Sequence, residues 1–75
     1  MAKMEGFIGK VRQDGGDAII YGPDGAAMFR VFGEYVEHAP RWVAVRRGGH
    51  VVVLDRQNLL KETIPQSDWD KGRRP

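Results

Sequence analysis

The sequence predicts an all-β fold, a small antiparallel five-stranded barrel or curled sheet of SH3-like or OB-like type, with at most one or two short helical turns. Three observations carry that prediction. Ten glycines are scattered along 75 residues in groups no longer than two, which is the spacing of turns. The intervals between them are rich in Val, Ile, Phe and Tyr, the residues that fit a pleated surface. The stretch from Arg41 to Arg56 is nearly symmetric about Gly48-Gly49, as a hairpin with a tight mirror-image turn requires.

The elements follow in order. Phe7 to Arg12 and Ala18 to Tyr21 form the first two strands, joined through Asp14-Gly15-Gly16-Asp17. A Gly-Gly pair between two β-prone runs is a short-hairpin signal. Gly22-Pro23-Asp24-Gly25 is a four-residue turn, with Pro fixing φ at its second position and Asp hydrogen-bonding locally at its third. Ala26 to Phe32 is the third strand. Gly33 to Pro40 is assigned one helical turn that Pro40 ends. Arg41–Arg47 and His50–Arg56 are strands four and five. Leu59, Leu60 and Ile64 mark a short helix or a last docking segment, so that residues 1–64 form a single domain. Residues 65–75 lack periodicity and read as a mobile C-terminal tail.

Size constrains what this domain can do alone. A 75-residue chain buries only ~60% of its unfolded surface, and one core of that size rarely supplies more than ~3–5 kcal/mol. There is no Cys, which excludes disulfide staples, thiolate metal sites and thiol catalysis. The expectation is a homo-oligomer or a chain that docks on a partner. The longest apolar run, Val51 to Leu54, is far below the ~20 residues of a membrane span. The start, Met1-Ala2-Lys3-Met4-Glu5, carries no apolar signal segment. A cytoplasmic protein without a membrane partner is expected.

Pairing across Gly48-Gly49 sets Arg47 opposite His50, Val45 opposite Val52, Val43 opposite Leu54 and Arg41 opposite Arg56 on one face. The other face holds Arg46 with Val51, Ala44 with Val53 and Trp42 with Asp55. Both faces are apolar near the middle, so one fills the core and the other is offered to a subunit or partner around Trp42. In the first three strands Phe7, Val11, Ala18, Ile20, Ala27, Phe29 and Val31 form a core face. Opposite lie Ile8, Lys10, Arg12, Ile19, Tyr21, Met28, Arg30 and Phe32, a mixture of cations and aromatic groups. Such a surface either binds something or is curled inward as the sheet closes.

Most catalytic chemistry has no residues to carry it. Ser67 and Thr63 are the single Ser and Thr, and neither has a His nearby in sequence, so hydroxyl nucleophile catalysis has no support. His38 and Glu34 share a face only if their segment is helical, and two ligands do not make a metal site. The glycine pairs lack the Lys-Ser or Lys-Thr of a phosphate loop. The chain is therefore read as a non-enzyme with no catalytic residues, metal or cofactor.

Charge is what remains. The net charge is +2, yet residues 1–40 hold four basic and six acidic side chains and residues 41–75 hold eight basic and four acidic. Arg41, Arg46, Arg47 and Arg56 cluster on one hairpin. Arg bridges phosphate bidentately and stacks on bases, and Trp42 and Tyr35 lie within reach. The expected function is a small binding module that contacts nucleic acid or another polyanion through this Arg-rich hairpin. The alternative is a protein-docking module, such as a phage or mobile-element accessory or inhibitor protein on a larger host protein, anchored by Trp42, Tyr35 or Trp69.

Overall fold

The computed structural model describes residues 6–75; the start Met1–Glu5, read above for a signal segment and included in the 1–64 domain, lies outside them. Among the described residues the chain forms seven strands and one short helix: β1 (Lys10–Asp14), β2 (Asp17–Tyr21), β3 (Ala27–Phe32), β4 (Glu34–Ala39), β5 (Trp42–Arg47), β6 (His50–Asp55), β7 (Leu60–Pro65) and α1 (Gln66–Asp70). They build two antiparallel sheets, ordered β1-β2-β3 and β4-β5-β6-β7. The fold is all-β, as the turn spacing predicts.

The glycine-centred hairpins form where the sequence places them. Asp14 pairs with Asp17 across Gly15-Gly16, and Arg47 with His50 across Gly48-Gly49. Gly48 takes a φ of +59°, the left-handed conformation a two-residue hairpin turn needs. From there the β5–β6 register runs Arg46 with Val51, Val45 with Val52, Ala44 with Val53, Val43 with Leu54 and Trp42 with Asp55. The Gly22–Gly25 turn is closed by Gly25 N–H donating to the Gly22 carbonyl at 3.0 Å, and Asp24 Oδ1 accepts from the Ala26 amide at 3.0 Å.

Five strands become seven because two segments read as helical are extended. Residues 34–39 form β4 rather than a helical turn before Pro40, pairing along β5 from Glu34 with Arg46 to Ala39 with Trp42. A register shift between Tyr35 and Glu37 leaves Val36 as an extra residue. Such a bulge resets the alternation of faces, so Tyr35 and His38, three apart as on a helix, share a side. Leu60–Pro65 is likewise a strand, β7, added to the edge of β6.

One part of the predicted core face is corrected. The ladder starts only at Lys10, and before it the Ile8 amide bonds the Pro40 carbonyl at 2.8 Å. Ile8, not Phe7, is therefore the buried residue, 4% exposed, because strand alternation does not reach back through Gly9. Ala27 is exposed, since a bulge opposite Ile20 and Tyr21 interrupts the β2–β3 register there.

The β5–β6 hairpin lies between two apolar clusters. Val43, Val45, Val52 and Leu54 pack against Ile8, Ala18, Ile20 and Val31, joining the two sheets. On the reverse face Ala44, Val51 and Val53 pack with Ile64 and Trp69. The segment read as a tail thus contributes α1, whose Trp69 is 5% exposed. The second face of the hairpin is covered from within the chain.

Gln13 ties the sheets together at their edge. Its Nε2 donates to the carbonyls of Gly15 at 2.9 Å and Gly33 at 3.2 Å, and its Oε1 accepts from the Tyr35 amide at 2.7 Å. At about 0.5–1.5 kcal/mol net for each of the three bonds, Gln13→Ala is expected to lower stability by about 1.5–4.5 kcal/mol in urea denaturation. A loss within error of zero would show the clasp to be dispensable.

Candidate functional site

The four hairpin arginines sit at opposite ends of β5–β6. Arg41 and Arg56, at the base, converge on Phe7, with their guanidinium carbons 5.7 and 4.9 Å from the ring centroid. Arg46 and Arg47, at the turn, lie about 15–20 Å away along the strand at ~3.3 Å per residue. Arg46 pairs with Glu34 at 2.7 Å, which neutralises it. Arg47 donates from Nε to the Phe32 carbonyl at 2.7 Å and lies over the Phe32 ring at 6.0 Å. Among the described residues Arg47 has no carboxylate partner. The sequence cluster of four is two pairs in space.

What the turn-end pair adjoins is the outer face of the first sheet. Cross-strand register aligns Lys10 with Tyr21, Arg12 with Ile19, Ile19 with Arg30, and Asp17 with Phe32. Lys10 Nζ stands 5.4 Å from the Tyr21 ring centroid, and Arg12 Nε donates to the Tyr21 hydroxyl at 3.2 Å. That bond, with the charge interaction at the same hydroxyl, holds the Arg12 pKa above its ordinary value. Arg30 spans Asp14 at 2.9 Å and Asp17 at 3.1 Å. At the end of the row Phe32 is 68% exposed. The face is a strip of cations and aromatic rings continued on the second sheet by Arg47.

The strip was partly legible. Alternation alone assigns Lys10, Arg12, Tyr21, Arg30 and Phe32 to one face, but Ile8 departs from it into the core. The junction of Phe32 with Arg47 is fifteen residues apart in sequence and depends on how the sheets fold over each other. No periodicity announces it.

The expected aromatic anchors are mostly committed to the fold. Trp69 is buried, Trp42 is half-buried, and the two rings meet edge to face at 6.2 Å. Arg74 lies 3.9 Å from the Trp69 centroid and bonds Glu37 at 3.2 Å and the Trp69 carbonyl at 2.9 Å. Arg73 pairs with Glu62 at 2.9 Å. These tail cations fasten α1 to the sheet. Tyr35 packs on the main core and shares a 2.7 Å hydrogen bond with His38 Nδ1; burial, and secondarily the Glu37 charge, push its phenol pKa up. Because β4 is extended, Glu34 turns to Arg46 and His38 to Tyr35. No group of three or more His, Cys, Asp or Glu side chains converges among the described residues.

No helix among the described residues is long and apolar enough to cross a membrane. No protein-family model matches the chain, and no significant match is found among curated proteins or solved structures.

Proposed function

We propose that this chain is a non-enzymatic nucleic-acid-binding module whose contact surface is the outer face of β1–β3 together with the tip of β5–β6. The observation that carries the reading is Phe32, an aromatic side chain 68% exposed beside Arg47, at the end of a strip bearing Lys10 and Arg12; Arg30, on the same face, is already held between Asp14 and Asp17. Exposed rings interleaved with cations suit a ligand that is both anionic and π-faced. An acidic protein surface needs only the cations.

The reading narrows the sequence expectation. The site moves from the whole Arg-rich hairpin to its turn end, where the ring beside the arginine is exposed; Arg41 and Arg56 flank the half-buried Phe7 instead. The docking alternative loses its main support, because α1 occupies the apolar face around Trp42 that a partner would have covered.

Fluorescence-anisotropy titration with short oligonucleotides at two salt concentrations tests this. Binding is expected to weaken steeply with salt, and Arg47→Ala to weaken it further while reducing the slope of log K against log salt by ~1. Arg41→Ala, at the far end, should leave that slope unchanged. Circular dichroism on each variant separates a lost contact from a lost fold. Absence of binding at low salt, or dependence on Arg41 rather than Arg47, would overturn the assignment.

A further inference from the structure

We propose that the hollow where the tips of β1–β2 and β5–β6 meet the β3–β4 corner is a subsite for one unpaired nucleobase, stacked on the Phe32 ring. The proposal rests on the nucleic-acid reading above and names which part of the nucleic acid the site takes and in which state.

The hollow has a volume of about 360 Å³ and is lined by Phe32, Arg46, Arg47 and the backbones of Gly15, Gly16 and Gly48 among others. That lies within the range for small-ligand sites, with room for a planar group. Two features favour a base. Its walls include glycine backbone with no side chain in the way: a Cβ built on Gly15 or Gly48 meets nothing within 4 Å. A flat ligand can therefore approach the main chain closely. Phe32 supplies the π-face; its Cε1 lies 3.6 Å from where a Gly16 Cβ would sit, so the lack of a side chain at Gly16 leaves that edge of the ring clear.

Charge selects the rest of the ligand. Glu34 neutralises Arg46 at 2.7 Å, while Arg47 is fixed over Phe32 by its bond to the Phe32 carbonyl and keeps guanidinium donors for a phosphate. A base on Phe32 with its phosphate on Arg47 uses both groups at once. In a duplex both faces of an internal base are already stacked, so the ring favours single strands, where bases are free to stack on aromatic side chains.

The test compares four probes of equal length by anisotropy at low salt: a single-stranded thymidine oligomer, a single-stranded adenosine oligomer, a duplex, and a single strand of abasic sites carrying the same charge. The wild type is expected to bind the base-bearing single strands at least about fivefold tighter than the abasic strand, the lower limit of one stacked base. Phe32→Ala should erase that preference, so that base-bearing and abasic strands bind the variant alike. Phe32→Trp, which keeps a π-face, should retain it, and Phe32→Leu, which keeps only apolar bulk, should not. Because Phe32 is exposed, these variants fold, and circular dichroism verifies it.

Salt-dependent binding of all four probes with equal affinity would overturn the base subsite and leave the nucleic-acid reading standing. A base preference that survives Phe32→Ala would also overturn it. No binding to any probe would remove both.

Discussion

Trp69→Ala is expected to remove a large share of the stability of this domain. Trp69 closes the cluster on the outer side of β5–β6, with Ala44, Val51, Val53 and Ile64, and meets Trp42 edge to face at 6.2 Å. Truncating a buried Trp to Ala costs about 3–5 kcal/mol. At about 0.05–0.15 kcal/mol per residue, a 75-residue domain has about 4–11 kcal/mol in total. The variant therefore forfeits a large share of its stability, and all of it at the low end of that range. Urea denaturation followed by circular dichroism reads the result directly. Trp42 is then the one tryptophan left, and its emission should shift to that of an exposed indole. Arg74→Ala, which removes the cation over the ring and its bonds to Glu37 and the Trp69 carbonyl, is expected to cost no more than about 1–3 kcal/mol. A wild-type midpoint for Trp69→Ala would show that α1 contributes nothing to the core. Loss of oligonucleotide binding in Trp69→Ala would report unfolding, and so says nothing of an interface at Trp69.

The same cluster explains what the sequence could and could not reveal. The β5–β6 register is legible to the residue, because Gly48-Gly49 sits between two β-branched arms and a two-residue turn leaves a single pairing open. That the hairpin is apolar on both faces is legible too. What covers the second face is not, since α1 has five residues and a single buried side chain, too short for a 3.6-residue period to emerge. The expectation of a subunit or partner around Trp42 followed correctly from the apolar count. The missing cover was Trp69, in a stretch that periodicity alone assigns to a tail.

Strands β4 and β7 were hidden by a different mechanism. Both carry register shifts, between Tyr35 and Glu37 in β4 and opposite Val53 and Leu54 in β7. A bulge adds one residue to one strand, so side chains three apart return to the same face. Tyr35 with His38 shows the consequence: the spacing imitates a helical turn while the backbone is extended. The candidate site suffers from the same limit at longer range. Strand alternation groups Lys10, Arg12, Tyr21, Arg30 and Phe32, but only the fold brings Arg47 to Phe32 and sends Arg41 and Arg56 to Phe7.

Gly33→Ala is the second large effect, and it strikes the corner where the chain passes from one sheet to the other. Gly33 has a φ of +135°, a region that L side chains rarely adopt. A Cβ there would lie 2.9 Å from Val45 Cγ2, 3.0 Å from Val45 Cβ and 3.2 Å from the Arg46 carbonyl oxygen. Val45 is fully buried and Arg46 is fixed in the β5–β6 ladder, so neither neighbour yields easily. Backbone strain of about 1–3 kcal/mol and overpacking of about 1–3 kcal/mol act together. Gly33 also donates its amide to the Gly16 carbonyl at 2.8 Å and accepts from Gln13 at 3.2 Å, so relaxing the corner would break the joint between the sheets. Gly48→Ala is the matched control: φ is +59° and a Cβ meets nothing within 4 Å, which leaves only the left-handed penalty of about 1–2 kcal/mol. In urea denaturation Gly33→Ala should lose about 2–6 kcal/mol, clearly more than Gly48→Ala. Equal losses would mean that turn conformation alone matters at both positions and that the corner has room for a methyl group. The larger loss at Gly33 would show that the sheet-to-sheet corner, which also frames the Phe32 hollow, has no room for a methyl group. Substitutions meant to probe binding there must then leave Gly33 in place.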